Sequence, residues 1–348
     1  MRLSICIPTY NRATHLINCL QSIRVSREAS SCDIEVCVSD NGSTDETERV
    51  VRIAQQSMPI KYRKNASNLG IPRNFLSVVA MAEGDFVWLI GDDDLIMPCA
   101  IERLCELIDQ HSTAEFFYVN SFHLTTEYVL SFPQPFDVVN LPVAMQPFSS
   151  WLTSDELPFM DLVNPRRSFD FLGGMFLAVF KRERWMAHTD AISEVALTDS
   201  RTFSTFDNTF PHVKIFARAF ARSRAFFCAT PLSVCLTGAR EWAPMYPFVR
   251  SVRLVEALHE YRVNGLPFLN YLKCRNFALN TFIPDFVSMV LHRERSGFAY
   301  INPIKLILSN CLYPNFYLSV PYYIVRKVKA STQRAAQKIF ASDRTVAA

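Results

Sequence analysis

Gly91-Asp92-Asp93-Asp94 follows directly on the apolar run Phe86–Ile90. Three adjacent carboxylates repel one another, so a buried strand ending in them loses stability unless a cation compensates. Hard divalent ions, Mg2+ or Mn2+, take oxygen ligands and usually leave positions open for substrate phosphates. Asp92, Asp93 and Asp94 are therefore candidate ligands for a metal that bridges a diphosphate. The same residues would also suit a solvated turn in which Asp94 caps the next helix. A second polar cluster, Ser39-Asp40-Asn41-Gly42-Ser43-Thr44-Asp45, ends another apolar run. Asp40 can accept a hydrogen bond from a nucleobase N–H, or else close an Asx-turn or cap a helix. Thr9 and Tyr10 follow a third run, Leu3–Ile7, where Tyr10 can cover a base or fill a turn.

The elements that must position these clusters are legible as periodicity. Leu3–Ile7, Ile34–Ser39, Ile60–Arg63, Phe86–Ile90 and Phe116–Asn120 read as strands. Between them Leu16, Leu20 and Ile23, then Val50 and Val51, then 75–81, then Ile101, Leu104 and Ile108 recur at helical spacing. Strands alternating with helices predict an α/β fold with a mixed, mainly parallel sheet flanked by helices. Ligands of such sheets bind at the carboxyl ends of strands, which is where all three polar clusters fall. Residues 124–170 carry six prolines and read as a loop-rich insertion.

The chain has 348 residues, 49% hydrophobic and 20% charged, which excludes a mainly disordered protein. Residues 1–213 hold 17 Lys/Arg and 27 Asp/Glu, whereas 214–348 hold 19 and 6, a balance of +13. An acidic front and a basic, aromatic back suggest two tasks, the second toward an anionic surface. Leu306–Val325 carries no charge and is followed by Arg326, Lys327 and Lys329. Its Asn and Pro interruptions favour an interfacial helix pair over a spanning helix, with packing on the α/β domain as the other reading. Ten cysteines form no CxxC pair, so scattered reduced thiols are expected. The opening residues 1–8 do not read as a secretory leader, which points to the cytoplasm.

Taken together, the clusters resemble family 2 glycosyltransferases of the GT-A fold. The resemblance is carried by Ile7-Pro8-Thr9-Tyr10-Asn11-Arg12, by Val38 through Asp45, by Asn65-x-x-Asn68-x-Gly70-x-x-Arg73-Asn74, and by Glu83-Gly84-Asp85-Phe86 through Asp94. Within the family the pattern is similar to O-antigen sugar transferases of the abequosyltransferase type. The resemblance implies a nucleotide-sugar site formed by Pro8, Thr9, Tyr10, Arg12, Asp40, Asn68, Gly70, Arg73, Asp92 and Asp93. Thr9 and Asp40 would contact the base, Arg73 would help hold the nucleotide, and the 92–94 aspartates would bind the metal. The family form is Asp-x-Asp-Asp, and Gly91 stands where its first Asp is expected, so the ligating register stays open between Asp93 and Asp92-x-Asp94.

Further along, Gly173-Gly174 resembles the segment that borders the family's acceptor site, or is a tight turn before a strand. Asp207 falls at the Asp of the family's Glu-Asp motif, the expected base, with Phe206 in place of the Glu. Asp199 and His212 compete for that role. Arg240 and Trp242 lie in a loop that could close over the diphosphate. The resemblance implies a catalytic domain over 1–240, with a nucleotide-sugar half (1–120) and an acceptor half (121–240). A helical, basic region over 241–348 is a candidate for contact with an anionic membrane. The expected reaction is inverting transfer of a hexose or deoxyhexose from a nucleotide-diphosphate sugar to a saccharide, with a lipid-linked oligosaccharide at the inner membrane face as the candidate acceptor. A nucleotidyltransferase would need a Gly-rich loop after the first strand, which is missing. A non-catalytic sugar- or membrane-binding scaffold would not need the acidic cluster, and no motif supports nucleic-acid binding.

Overall fold

A computed structural model describes residues 2–167, 169–199, 201–238 and 242–329. The chain divides into two compact units. One comprises residues 1–243 and 256–271, the other 244–255 and 272–348.

Among the described residues the first unit is built on a ten-stranded sheet. Its strands are β1 (Leu3–Thr9), β2 (Ile34–Asp40), β3 (Ile60–Lys64), β4 (Phe86–Leu89), β5 (Leu95–Ile96), β6 (Ala114–Thr125), β7 (Gln146–Pro147), β8 (Asp155–Pro158), β9 (Ala178–Lys181) and β10 (Arg224–Thr237). The order is β3-β2-β1-β4-β9-β6-β10-β5. β3, β2, β1 and β4 run parallel, β9 enters antiparallel between β4 and β6, and β10 runs parallel to β6. Every residue of β1 and β2 is buried, as expected of parallel strands covered on both faces. The small strands β7 and β8 pair antiparallel with β6 and β10, so the proline-rich insertion contributes edge pairing to the sheet.

The helices of this unit's first segment include α1 (Ala13–Glu28), α2 (Thr47–Ala54), α3 (Ile71–Met81), α4 (Ala100–Gln110), α5 (Thr126–Leu130), α6 (Arg182–Met186), α7 (Glu194–Thr198), α8 (Phe206–Thr209) and α9 (Pro211–Ala219). Leu16, Cys19, Leu20 and Ile23 of α1 join Ile101, Leu104 and Ile108 of α4 in one core against Ile5, Ile7 and Val38. Phe116, Phe180, Phe216 and Phe220 pack edge-to-face in a second, aromatic region.

At the amino ends of β1, β2 and β4 sits a buried carboxylate, Glu35. It accepts from Ser4 Oγ (2.6 Å) and the Glu83 and Gly84 amides, and pairs with Lys61 Nζ at 2.7 Å. Burial alone would raise its carboxyl, but the bonds from Lys61, Ser4 and the Glu83 amide prevail and bring it down to about 2.

α10 (Tyr246–Phe248), α11 (Leu254–Val263), α12 (Phe268–Ala278), α13 (Phe282–Leu291), α14 (Pro303–Asn310) and α15, over 314–329, follow in the described residues. Within the second unit Asp285 is buried and accepts from Arg250, Ser251 Oγ and Thr281 Oγ1. Among the described residues no helix is long and apolar enough to cross a membrane. Residues 256–271 belong to the first unit, so the helical region over 241–348 contributes to both units.

Candidate functional site

β2, β1 and β4 are neighbours, so parallel pairing sets Thr9, Asp40 and the turn after Leu89 side by side. Thr9 Oγ1 donates to Asp92 Oδ2 at 2.8 Å. The Arg12 guanidinium bridges the next two carboxylates, Nε at 3.4 Å from Asp92 Oδ1 and Nη2 at 2.7 Å from Asp93 Oδ2. Burial and the Asp93 charge push the Asp92 carboxyl up to about 7, against the pull of Arg12 and Thr9. Asp94 turns away from this group: its Oδ2 accepts from the Gly91 amide at 2.9 Å, closing the turn rather than capping α4. A Cβ at Gly91 would lie 2.8 Å from oxygens of both Asp93 and Asp94, so this folding of the turn depends on glycine where the family form has Asp. Tyr10 is exposed beside the cluster, and Pro8 is buried within β1.

Asp40 is fully buried, with Oδ1 accepting from the Ser43 amide and Oδ2 from the Tyr62 hydroxyl, both at 2.7 Å. Burial and that bond raise the Tyr62 hydroxyl well above its ordinary range. Each Asp40 oxygen thus already accepts one hydrogen bond from the protein and keeps one lone pair for a further donor. Tyr62 was not singled out by sequence. Its signal is an aromatic residue on a short strand whose Val38–Tyr62 register sets it two positions from Asp40.

Three loops at this sheet end are knitted together by asparagines. Asn41 Nδ2 donates to Asn68 Oδ1, and its Oδ1 accepts from the Leu69 amide. Asn74 Oδ1 accepts from Ser39 Oγ, and Asn11 Oδ1 accepts from the Thr44 amide. Asp45 accepts from the Ala13 amide and so fixes the start of α1. Gly42 has φ +80°, and a Cβ there would lie 2.8 Å from the Ser67 backbone, so only glycine lets the loops close this tightly. Asn68 also accepts from the Gly70 amide. Arg73 Nε donates to Leu197 O at 2.6 Å, tying α3 to α7.

The α7–α9 segment packs on α3. Asp207, on α8, is buried, and its Oδ2 accepts from the Ser193 amide at 2.8 Å. Lys214 Nζ lies 3.0 and 3.1 Å from its two oxygens. Of the competitors, Asp199 binds Arg201 and Ser204, and the Arg201 bond above all holds its carboxyl well below the usual range. His212 lies among Phe75, Phe210 and Phe216, and burial pushes it down to about 3, which leaves it neutral and a weak base. Gly173 and Gly174 donate to Asp170 O, and the Phe210 ring lies against Gly173. Trp242 meets Phe203 edge-on at 5.3 Å, while Arg240 lies outside the described residues.

Among the described residues no group of three or more His, Cys, Asp and Glu is arranged to hold a metal. Asp92 and Asp93 nonetheless provide hard oxygen donors with Arg12 as their present counter-charge. That donor set fits a hard cation that completes its shell with ligand oxygens, and does not form an all-protein cage.

A family profile described as Glycosyl transferase family 2 matches residues 4–132. Abequosyltransferase RfbV of Salmonella typhimurium is 32% identical over 248 residues, 68% of this chain and 66% of that protein, just under two thirds of its length. Poly(ribitol-phosphate) beta-N-acetylglucosaminyltransferase TarS of Staphylococcus aureus is 30% identical over 114 residues, 32% of this chain and 19% of that protein. The structure of S. aureus TarS 1-349 in complex with UDP superposes with a TM-score of 0.52 at 16% identity, covering 82% of this chain and 72% of that one. That likeness identifies the fold as GT-A, and with the profile match and the relative aligned over most of the chain, this protein belongs to glycosyltransferase family 2.

Proposed function

We propose that the chain moves a hexosyl or deoxyhexosyl group from a nucleotide-diphosphate sugar to a saccharide acceptor, in the synthesis of a surface polysaccharide such as O-antigen. The observation that supports this best is the joining of Thr9, Arg12, Asp92 and Asp93 at adjacent carboxyl ends of β1 and β4. Arg12 and the loop network hold the nucleotide end of the donor. Asp92 and Asp93 would hold Mg2+ or Mn2+, which when bound offsets charge on the diphosphate. Asp207 Oδ1, which faces Lys214, takes the proton from the acceptor hydroxyl. The acceptor oxygen bonds to the anomeric carbon as that carbon's bond to phosphate oxygen breaks, and the nucleoside diphosphate leaves with the electron pair. One displacement inverts the anomeric configuration. Gly173 and Gly174 border the acceptor, and Trp242 lines its approach. A lipid-linked oligosaccharide acceptor, met by peripheral contact with the inner face of the cytoplasmic membrane, accords with the basic residues 214–348.

The test is nucleoside diphosphate release from a panel of UDP-, GDP-, CDP- and dTDP-sugars, with and without Mg2+ or Mn2+. Metal-dependent release from one donor, lost in Asp93→Ala, is expected. Absence of release together with absence of nucleotide binding in calorimetry would overturn the proposal.

A further inference from the structure

α14 and α15 are built inside out. The residues they bury are polar: Asn310 and Ser319 are fully enclosed. Asn310 Oδ1 accepts from Arg275, Ser319 Oγ accepts from the Ile283 amide, and the Asn315 amide donates to Asn276 Oδ1. Phe316 packs on Phe282 at 5.0 Å and gives α15 an apolar anchor. Their outward residues are apolar. Ile304, Leu308 and Ile324 are more than half exposed, and Leu312, in the turn between the helices, is nine-tenths exposed. Soluble monomers rarely present so continuous an apolar surface without a partner for it.

Charge identifies the partner. From Arg295 to Ser342 the sequence has no acidic residue and seven basic ones. Lys305 is exposed on α14, and Arg326, Lys327 and Lys329 are exposed at the far end of α15. Tyr317, Tyr322 and Tyr323 are exposed between them, and tyrosine favours the level where headgroups meet acyl chains. A water-soluble protein partner offers no reason for such one-signed charge around an aliphatic and tyrosine surface. An anionic bilayer does, because apolar side chains enter the acyl boundary while cations meet lipid phosphates.

We infer that the outer faces of α14 and α15 form a monotopic docking surface for an anionic lipid bilayer. The inference deepens the proposed function, since a lipid-linked acceptor is presented at a bilayer. Its test needs neither donor nor acceptor, so its failure and that of the transfer reading are distinguishable. Full-length protein is floated with vesicles of phosphatidylcholine alone, or of phosphatidylcholine with phosphatidylglycerol, at low and high salt. Flotation with the anionic vesicles is expected, reduced by salt. The variant Leu308→Ser/Leu312→Ser/Ile324→Ser, and separately Arg326→Glu/Lys327→Glu, should lower the bound fraction roughly tenfold while keeping the wild-type melting curve. Wild-type protein that stays at the bottom of the gradient, or variants that float as well as it does, would overturn the inference. So would a wild-type dimer in sedimentation that the triple variant turns into a monomer, since that assigns the face to a second copy of the chain.

Discussion

The proposed function makes Asp207 the general base. Its Oδ2 anchors the Ser193 amide and its Oδ1 faces Lys214, so the carboxylate is fixed in orientation before any acceptor arrives. Fixed orientation is what general-base catalysis needs, and it contributes roughly 10²–10⁴-fold to rate. Asp207→Asn keeps an oxygen for the Ser193 amide but cannot take a proton, so transfer should fall by roughly that factor while donor affinity holds. Lys214→Met breaks the same ion pair and leaves the base, so it should cost about tenfold or less by comparison. Equal losses in steady-state kinetics would make Asp207 a structural residue. At this scale the sequence was informative where neighbouring strands converge: Thr9, Arg12, Asp92 and Asp93 come together as their positions after β1 and β4 require. It was silent on Tyr62 over Asp40 and on Arg73 at Leu197, because those partners are set by a strand register and by a segment 124 residues away.

β1, β2 and β4 carry different chemistry at their two ends, with a buried, fully partnered carboxylate at the end away from the site. Glu35 gathers Ser4, two amides and Lys61 at the foot of these strands. Its carboxyl stands at about 2 in the folded chain against 4.5 as an unperturbed group. The native state therefore binds fewer protons than the unfolded one. The resulting stability, at most about 3 kcal/mol, is fully present above pH ~4.5 and is lost as pH falls toward ~2. Glu35→Gln should lower the urea midpoint at pH 7, and the gap to wild type should narrow as pH approaches 2. A gap independent of pH would mean that the ionised carboxylate is not what stabilises this end. The strands themselves were legible as apolar runs. β10 begins at exposed Arg224 and carries a register shift between Cys228 and Ser233, which break the alternation that marks a strand. The antiparallel entry of β9 between β4 and β6 leaves no local sign, since pairing partners are chosen by the whole sheet.

Charge divides the chain near residue 213, and compactness divides it elsewhere. Composition changes from acidic to basic at that point, whereas the family resemblance implies a boundary at 240. Yet Leu258, Tyr261 and Leu266, all fully buried, belong to the first unit. The Tyr261 ring lies 6.0 Å from Phe159 and 5.9 Å from Phe171, extending the aromatic core. Hydrophobic periodicity identifies a helix there but not the core it joins. At about 1.5–3 kcal/mol for each such side chain, these three supply roughly 5–9 kcal/mol of burial. That is comparable to the whole stability of a domain, about 5–15 kcal/mol. A chain ending at residue 243 keeps every strand of the sheet but uncovers Phe159 and Phe171. It should therefore bind a hydrophobic dye and show no cooperative melting, whereas one ending at 271 should retain a cooperative transition. If the shorter chain melts as sharply and as high as the longer one, the segment after residue 255 is an accessory to a catalytic unit that is already complete without it.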